Sequence, residues 1–312
     1  MRVLPVSAIV PTRNRSIALS KTLTSLEKQE LFPAELILVD GSDDSSTREL
    51  VDGFRQRLAF TCCLKWMPAN ICGAASQRNQ GMRAATKPVI WFFDDDIVFE
   101  PHCVRRLWNA LDSDSRLGGV NTMIANQQYK SPGLLSRWLF RFLNGHASAT
   151  YAGLVIGPAV NLLPEDRDDL PEVVPVEWLN TTCTLYRRDA LPTPPFDSVF
   201  VGYSLMEDLT LSLRVGRNWK LANARTARIF HDSQSAGYKT DVVGLAAMEL
   251  VNRHYVMTEI LEKRHLSDYL RLFEWEVFQL AVTALRSDLA QFRAVCRGKL
   301  EGLHRIYAAR QR

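Results

Sequence analysis

Residues 89–99 read Val89-Ile90-Trp91-Phe92-Phe93-Asp94-Asp95-Asp96-Ile97-Val98-Phe99. Five consecutive β-branched and aromatic residues have the composition of a strand covered on both faces, the kind that parallel sheets contain. The strand ends where charge begins, so three carboxylates sit at its mouth. Adjacent like charges repel, and a divalent cation is the usual remedy; a solvated acidic turn is the plain alternative.

The same alternation of apolar run and polar turn extends toward the N-terminus. Val6 to Val10 read as a first strand, and a helix from Ser16 carries Leu19, Leu23 and Leu26 at helical spacing. Glu35 to Asp40 form a second buried strand. The turn Gly41-Ser42-Asp43-Asp44-Ser45-Ser46 follows it, then a helix with Leu50, Phe54 and Leu58 on one side. A third strand over Thr61–Trp66 leads to Gly73 and a helix through Arg78 and Met82. Strands alternating with helices predict an α/β fold with a mostly parallel central sheet and right-handed crossovers. Ligands of such sheets bind beyond the carboxyl ends of the strands. Three polar clusters fall there: Pro11-Thr12-Arg13-Asn14, Asp40, and Asp94 to Asp96. No glycine-rich dinucleotide fingerprint or phosphate-binding P-loop is present, so a metal and side chains are left to hold phosphate.

After Gly118-Gly119-Val120-Asn121 the pattern loosens. A helix over 134–143 places Leu135, Trp138, Leu139 and Phe142 on one face beside Arg137 and Arg141. That face either meets lipid or packs in the core, and packing is the favoured reading. Between Arg141 and Glu165 no formal charge occurs, but the glycines, prolines and asparagines within that run suit a loop rather than a span. Ser204-x-x-Glu207 predicts a capping box at the head of a helix continuing through Leu213. From Val242 onward the chain reads as helix. Its last segment is basic, with Arg286, Arg293, Arg297, Lys299, Arg305, Arg310 and Arg312 against Asp288 and Glu301; a solvated face is favoured there over contact with anionic lipid.

The 312 residues and 46% hydrophobic content suffice for one large domain or two smaller ones. A net charge of +4 is too mild to imply nucleic-acid binding. Six cysteines without paired spacing predict reduced thiols, and the start Met1-Arg2-Val3-Leu4-Pro5 carries no export leader, so a cytoplasmic protein is expected.

In order along the chain stand Ala8-Ile9-Val10-Pro11-Thr12-Arg13-Asn14-Arg15, Leu38-Val39-Asp40-Gly41-Ser42, and Gly73-Ala74-Ala75-Ser76-Gln77-Arg78-Asn79-Gln80-Gly81. The acidic triplet follows, then Leu185-Tyr186-Arg187-Arg188, Phe196-Asp197, Glu207-Asp208-Leu209-Thr210-Leu211-Ser212-Leu213-Arg214, and His231. The set resembles the family 2 glycosyltransferases, from Ala8 to about His231. The resemblance implies the GT-A nucleotide-sugar-binding fold over 1–235, with a sugar-donor half to about 125 and an acceptor half from about 126, followed by a helical extension over 236–312.

It also implies inverting transfer of one sugar from a UDP, GDP or dTDP sugar to a glycan or lipid-linked glycan. Asp94 would face the ribose. Asp96, joined by His231, would bind Mn2+ or Mg2+ across the diphosphate; a hydrogen-bonded turn histidine is the other reading of His231. Pro11, Thr12, Arg13, Asp40 and Arg78 would line the nucleotide pocket. The alternatives are a turn-capping role for Asp40 and a solvent-facing place for Arg78. Alternation along an extended chain sends Asp95 to the other face, as the most dispensable of the three. With Glu207 held by the cap, Asp208 is left as general base. Thr181 stands where the family commonly has glycine and should narrow the acceptor side. No Gln-x-x-Arg-Trp motif follows Asp208, which favours single transfer over polymerisation. The expected setting is cell-surface glycan or glycolipid synthesis, with peripheral contact at the cytoplasmic membrane face. A sugar nucleotidyltransferase is disfavoured because Val10 to Asn14 lack its glycine-rich loop, and a non-catalytic sugar-binding protein because Asp94, Asp96 and Asp208 are all retained.

Overall fold

The computed structural model describes residues 2–58, 62–127, 129–233 and 240–310, without the side chains at 134, 135 and 310. Thr61, Arg312, the side chain of Leu135 and the expected boundary at 235–236 lie outside those residues. The chain divides into two compact units, Met1–Tyr129 with Leu163–Gln234, and Lys130–Leu162 with Ser235–Arg312. Residues 130–162 therefore cluster with the C-terminal helices rather than with the acceptor half. The physical reason is apolar burial: Phe140, Leu143, Tyr151, Ile156 and Val160 share a core with Trp275.

The first unit is an α/β fold around one mixed sheet. Its elements begin β1 (Arg2–Thr12), α1 (Ser16–Glu27), β2 (Leu31–Asp40), α2 (Ser46–Leu58), β3 (Cys63–Pro68), α3 (Ala74–Ala84) and β4 (Val89–Phe93). There follow β5 (Ile97–Phe99), α4 (Cys103–Asp112) and β6 (Leu117–Ile124). Strand order is β3-β2-β1-β4, then β10 (Cys183–Arg187), β6, β11 (Lys220–His231) and β5, with β9 (Val173–Val176) also on β11. The pairings make β1, β2, β3, β4, β6 and β11 run one way, opposed by β5, β9 and β10.

All five residues of β4 are buried, as its composition predicts for a strand flanked on both edges and covered on both faces. On one face Trp91 lies 4.8 Å from Phe93 and 5.5 Å from Phe99, centroid to centroid. Phe92, pointing the other way, meets Phe196 edge-on at 5.2 Å. α3 packs so closely on the sheet that a Cβ at Gly81 would lie 2.4 Å from Ile9 Cγ2. In register, Thr12 opposes Asp40, so the ends of β1 and β2 share one edge with Asp94. The antiparallel β10 begins at that edge, where the Asp94 amide donates to the Thr182 carbonyl at 3.1 Å.

The second unit holds α5 (Leu134–Asn144), the short pair β7 (Val155–Ile156) and β8 (Val160–Asn161), and α7 (Val242–Tyr255), α8 (Leu266–Arg286) and α9 (Leu289–Arg310). In α5 the buried residues are Phe140 and Leu143, while Trp138 and Phe142 are exposed. The expected packing face is thus rotated toward the other side of the helix. Within this unit Arg253 of α7 donates to the Ala159 carbonyl at 2.7 Å, and Lys299 of α9 bridges Glu249 and Glu276 at 2.9 and 2.7 Å. No helix among the described residues is long and apolar enough to cross a membrane.

Candidate active site

The acidic triplet continues β4 past the sheet edge, and its three carboxylates part company. Asp94 Oδ1 accepts from Arg78 Nη2 at 2.6 Å. Asp95 is buried, accepting from the Thr12 hydroxyl at 2.7 Å and from Arg15 Nη1 at 3.2 Å. Asp96 accepts from the same Arg15 nitrogen at 3.0 Å and lies 3.1 Å from His231 Nε2. Two arginines therefore already relieve the repulsion that the sequence shows. Asp95 does turn to its own partners, but it is a buried junction between β1, α1 and the triplet, because the Thr22 hydroxyl also donates to its carbonyl at 2.8 Å. Desolvation pushes its carboxyl up to about 6, with Arg15 and Thr12 pulling the other way.

His231 ends β11, and its Nδ1 lies 3.2 Å from Gln127 Nε2. Asp94, Asp96 and His231 each offer one ligand atom, and all three atoms lie within 4.8 Å of one another. Two hard carboxylate oxygens and one imidazole nitrogen suit Mn2+ or Mg2+ with positions left for phosphate oxygens. The charge balance fits as well. Around this point five carboxylates gather, those of Asp94, Asp95, Asp96, Glu207 and Asp208, with Arg15 paired to Asp95 and Asp96, and Arg78 to Asp94 and Glu207. Asp94 thus joins the candidate metal set, beyond the ribose-facing place expected for it.

Arg78 is buried in the middle of α3, not solvent-facing, and its other terminal nitrogen pairs with Glu207. Glu207 opens α6 (Glu207–Val215) after Met206 in the left-handed conformation, φ 69°. The capping box is absent for that reason: Ser204 is itself left-handed, φ 58°, and its hydroxyl donates to the Gly202 carbonyl at 3.2 Å. Glu207 is nonetheless committed, to Arg78 instead of a cap. The approach is fixed by Gly73, φ 146°, which bridges Gly202; a Cβ there would meet Gly202 backbone at 3.3 Å.

Asp208, half-buried in the first turn of α6, accepts the Leu209 amide at 2.7 Å. Desolvation raises it to about 6; the Leu209 amide and Arg78 oppose that rise and Asp94 adds to it, so Asp208 senses the same charges as the metal group. Asp40 accepts from the Ser42 amide at 2.9 Å and Trp66 Nε1 at 3.0 Å, which caps the turn. Pro11 and Thr12 close β1 beside it. Thr181 is buried one residue before the carbonyl that holds the Asp94 amide. Arg13 is exposed, its guanidinium 3.7 Å from Asp43 in the turn after β2.

Three further residues were not singled out from sequence. Arg15 was visible only as a letter of the first motif. Gln77 donates to the Thr12 and Val39 carbonyls at 2.9 and 2.7 Å, tying the ends of β1 and β2 together. Gln127 carried no local signal at all.

The sequence profile of glycosyl transferase family 2 matches residues 7–163, just over half of the chain. The chain belongs to that family. The validoxylamine A glucosyltransferase of Streptomyces hygroscopicus subsp. limoneus is 33% identical over 110 residues, which are 34% of this chain and 23% of the relative. The match thus spans about a quarter of the curated relatives' length. Among solved structures, a mannosyltransferase from Pyrobaculum calidifontis in complex with GDP-Man and Mn2+ aligns at a TM-score of 0.54 and 15% identity, over 98% of this chain and 82% of the other. S. aureus TarS in complex with UDP-GlcNAc aligns at 0.55 and 16%, over 96% and 79%. Those two likenesses are of fold.

Proposed function

We propose that this family 2 glycosyltransferase moves one sugar from a nucleoside-diphosphate sugar to an acceptor hydroxyl with inversion, Asp208 acting as the base. The observation that carries the reading is the division of labour at the sheet edge. Burial raises both carboxyls, Glu207 to about 7 and Asp208 to about 6, but Glu207 is paired with Arg78, whereas Asp208, one residue on, has no ion-pair partner among the described residues and keeps capacity to accept a proton. Asp208 takes the acceptor proton as the acceptor oxygen bonds to the anomeric carbon; the bond from that carbon to the diphosphate breaks with its electron pair on the departing oxygen. One displacement inverts the centre and needs no covalent enzyme intermediate.

Asp94, Asp96 and His231 would hold Mn2+ or Mg2+, which supplies charge stabilisation to the departing diphosphate. Arg78 keeps Asp94 oriented, and Arg15 does the same for Asp96. Thr12 and Asp40 would flank the nucleotide base at the ends of β1 and β2, with Pro11 in the same wall. The sugar donor would be a UDP, GDP or dTDP sugar. The acceptor would be a cell-surface glycan or glycolipid precursor, glycosylated in the cytoplasm by a protein in peripheral contact with the membrane.

Release of nucleoside diphosphate from UDP, GDP and dTDP sugars in the presence of Mn2+ tests the reading. Turnover with one donor class, lost on chelation and lost in Asp208→Asn with donor binding retained, is the expected result. Normal turnover by Asp208→Asn would overturn the assignment of the base.

A further inference from the structure

We infer that the outer face of α9 lies on an anionic lipid surface. This deepens the peripheral-contact part of the proposed function and is independent of the chemistry assigned to Asp208.

Two glycines fix which way α9 faces. A Cβ at Gly298 would lie 2.4 Å from the Val243 carbonyl oxygen, and one at Gly302 would lie 3.0 Å from that of Ala247, so the α9 backbone rests directly on α7 along this side. Lys299 turns inward with them, buried between Glu249 and Glu276. Helical periodicity then places the residues at 289, 293, 296, 300, 303, 304 and 307 on the opposite side. There Leu289, Leu300, Leu303 and Tyr307 are 62%, 60%, 55% and 65% exposed. Arg293 and His304 are exposed among them and Arg297 is exposed at the border of this face; Arg293 and Arg297 have no ion-pair partner among the described residues.

The charge of this face selects its occupant. The one carboxylate in α9 is Glu301, and it is already paired with Arg305 at 2.6 Å. A second copy docked through the same face would set Arg293 and Arg297 against their equivalents with no acid to answer them. A nucleic acid would use the arginines but leave the leucines without a role. An anionic bilayer satisfies both sets: guanidinium groups at headgroup phosphates, leucines in the acyl boundary, and Tyr307 at the level between them. As no described helix is long and apolar enough to cross, α9 would lie in the interface.

Flotation of the full chain with phosphatidylcholine vesicles, with and without phosphatidylglycerol, tests this. The wild type should float with the anionic vesicles at low salt and be released by high salt. Arg293→Glu with Arg297→Glu should lower the bound-to-free ratio by roughly tenfold or more. Leu300→Ser with Leu303→Ser should lower it as well. Melting curves and sugar-donor hydrolysis, run on the same samples, should match the wild type and show that both variants are folded. Wild-type protein that stays at the bottom of the gradient overturns the proposal, and so does equal flotation of both variants. A dimer that Leu300→Ser with Leu303→Ser dissolves, or nucleic-acid binding without flotation, would reassign the face. Flotation without any sugar-donor turnover would leave this inference standing and sink the transferase reading instead.

Discussion

Arg78 and Glu207, 129 positions apart in sequence, are joined as a buried ion pair, and the same guanidinium donates to Asp94 at 2.6 Å. One side chain thus ties the middle of α3 to the start of α6 and to the end of β4. Removing one partner of a buried pair strands the other charge, at a cost of about 3–5 kcal/mol. Arg78→Met should lower the urea midpoint correspondingly and abolish turnover. Adding Glu207→Gln to Arg78→Met should restore much of the stability without restoring turnover, because Asp94 still lacks its partner. Full recovery of activity in the double variant would show that Arg78 serves Glu207 alone.

Asp95 makes the stability of the chain depend on pH. Its carboxyl is raised from 3.8 to about 6 in the folded protein, chiefly by desolvation, so between those values the folded state binds more proton than the unfolded one. Stability from this group is complete below about pH 4 and is lost as pH rises through 6, an effect on the order of 3 kcal/mol from the size of the shift. Asp95→Asn, which keeps the shape but not the charge, should flatten that part of the stability curve. Denaturant titrations with EDTA present at pH 4, 5, 6 and 7 measure it. Identical slopes in the two proteins would contradict a buried, raised carboxyl at this position.

The strands β1, β2 and β4 were legible because each is a continuous apolar run closed by a turn or a charge. The insertion of β10 between β4 and β6 was not, since Thr184 pairs with Phe92 on one side and Asn121 on the other and no local pattern encodes either contact. The roles around the site divide in the same way. Asp94, Asp96 and His231 were nameable as types of ligand, but that Asp94 belongs to the same 4.8 Å group depends on how β11 returns beside β5. Glu207 was read as a capping residue from a four-residue pattern; left-handed Ser204 and Met206 put it on Arg78 instead. Arg15 contacts residues 80 and 81 positions away, a distance over which sequence spacing carries no information.

His231 should contribute to metal affinity, and Gln127 should act through it. The Gln127 amide at 3.2 Å from Nδ1 orients the ring toward Asp96, and partners of this kind typically change metal affinity by about 10–100-fold. Binding of Mn2+ in the presence of UDP or GDP, followed by the loss of free-ion resonance signal, should weaken by about tenfold in Gln127→Leu and further in His231→Ala. Unchanged Mn2+ affinity in His231→Ala would return the residue to the role of a turn histidine.

As the proposed base, Asp208 should set the acid limb of the rate. A base must be ionised to accept the hydroxyl proton, and burial holds this one at about 6, so kcat should fall as pH drops through that value and level off above it. Asp208→Asn keeps the size of the side chain and the first turn of α6 but cannot accept the proton. Its kcat should be about 10²–10⁴-fold lower, with affinity for the nucleoside diphosphate close to that of the wild type. Asp208→Glu retains a carboxylate on a longer stem, so part of the rate should survive with its acid limb displaced, because the longer group sits at a different depth beside Arg78. If Asp208→Glu keeps an acid limb at about 6 at full rate, the limb belongs to another group, and Glu207, raised to about 7 by burial beside Arg78, becomes the residue to test.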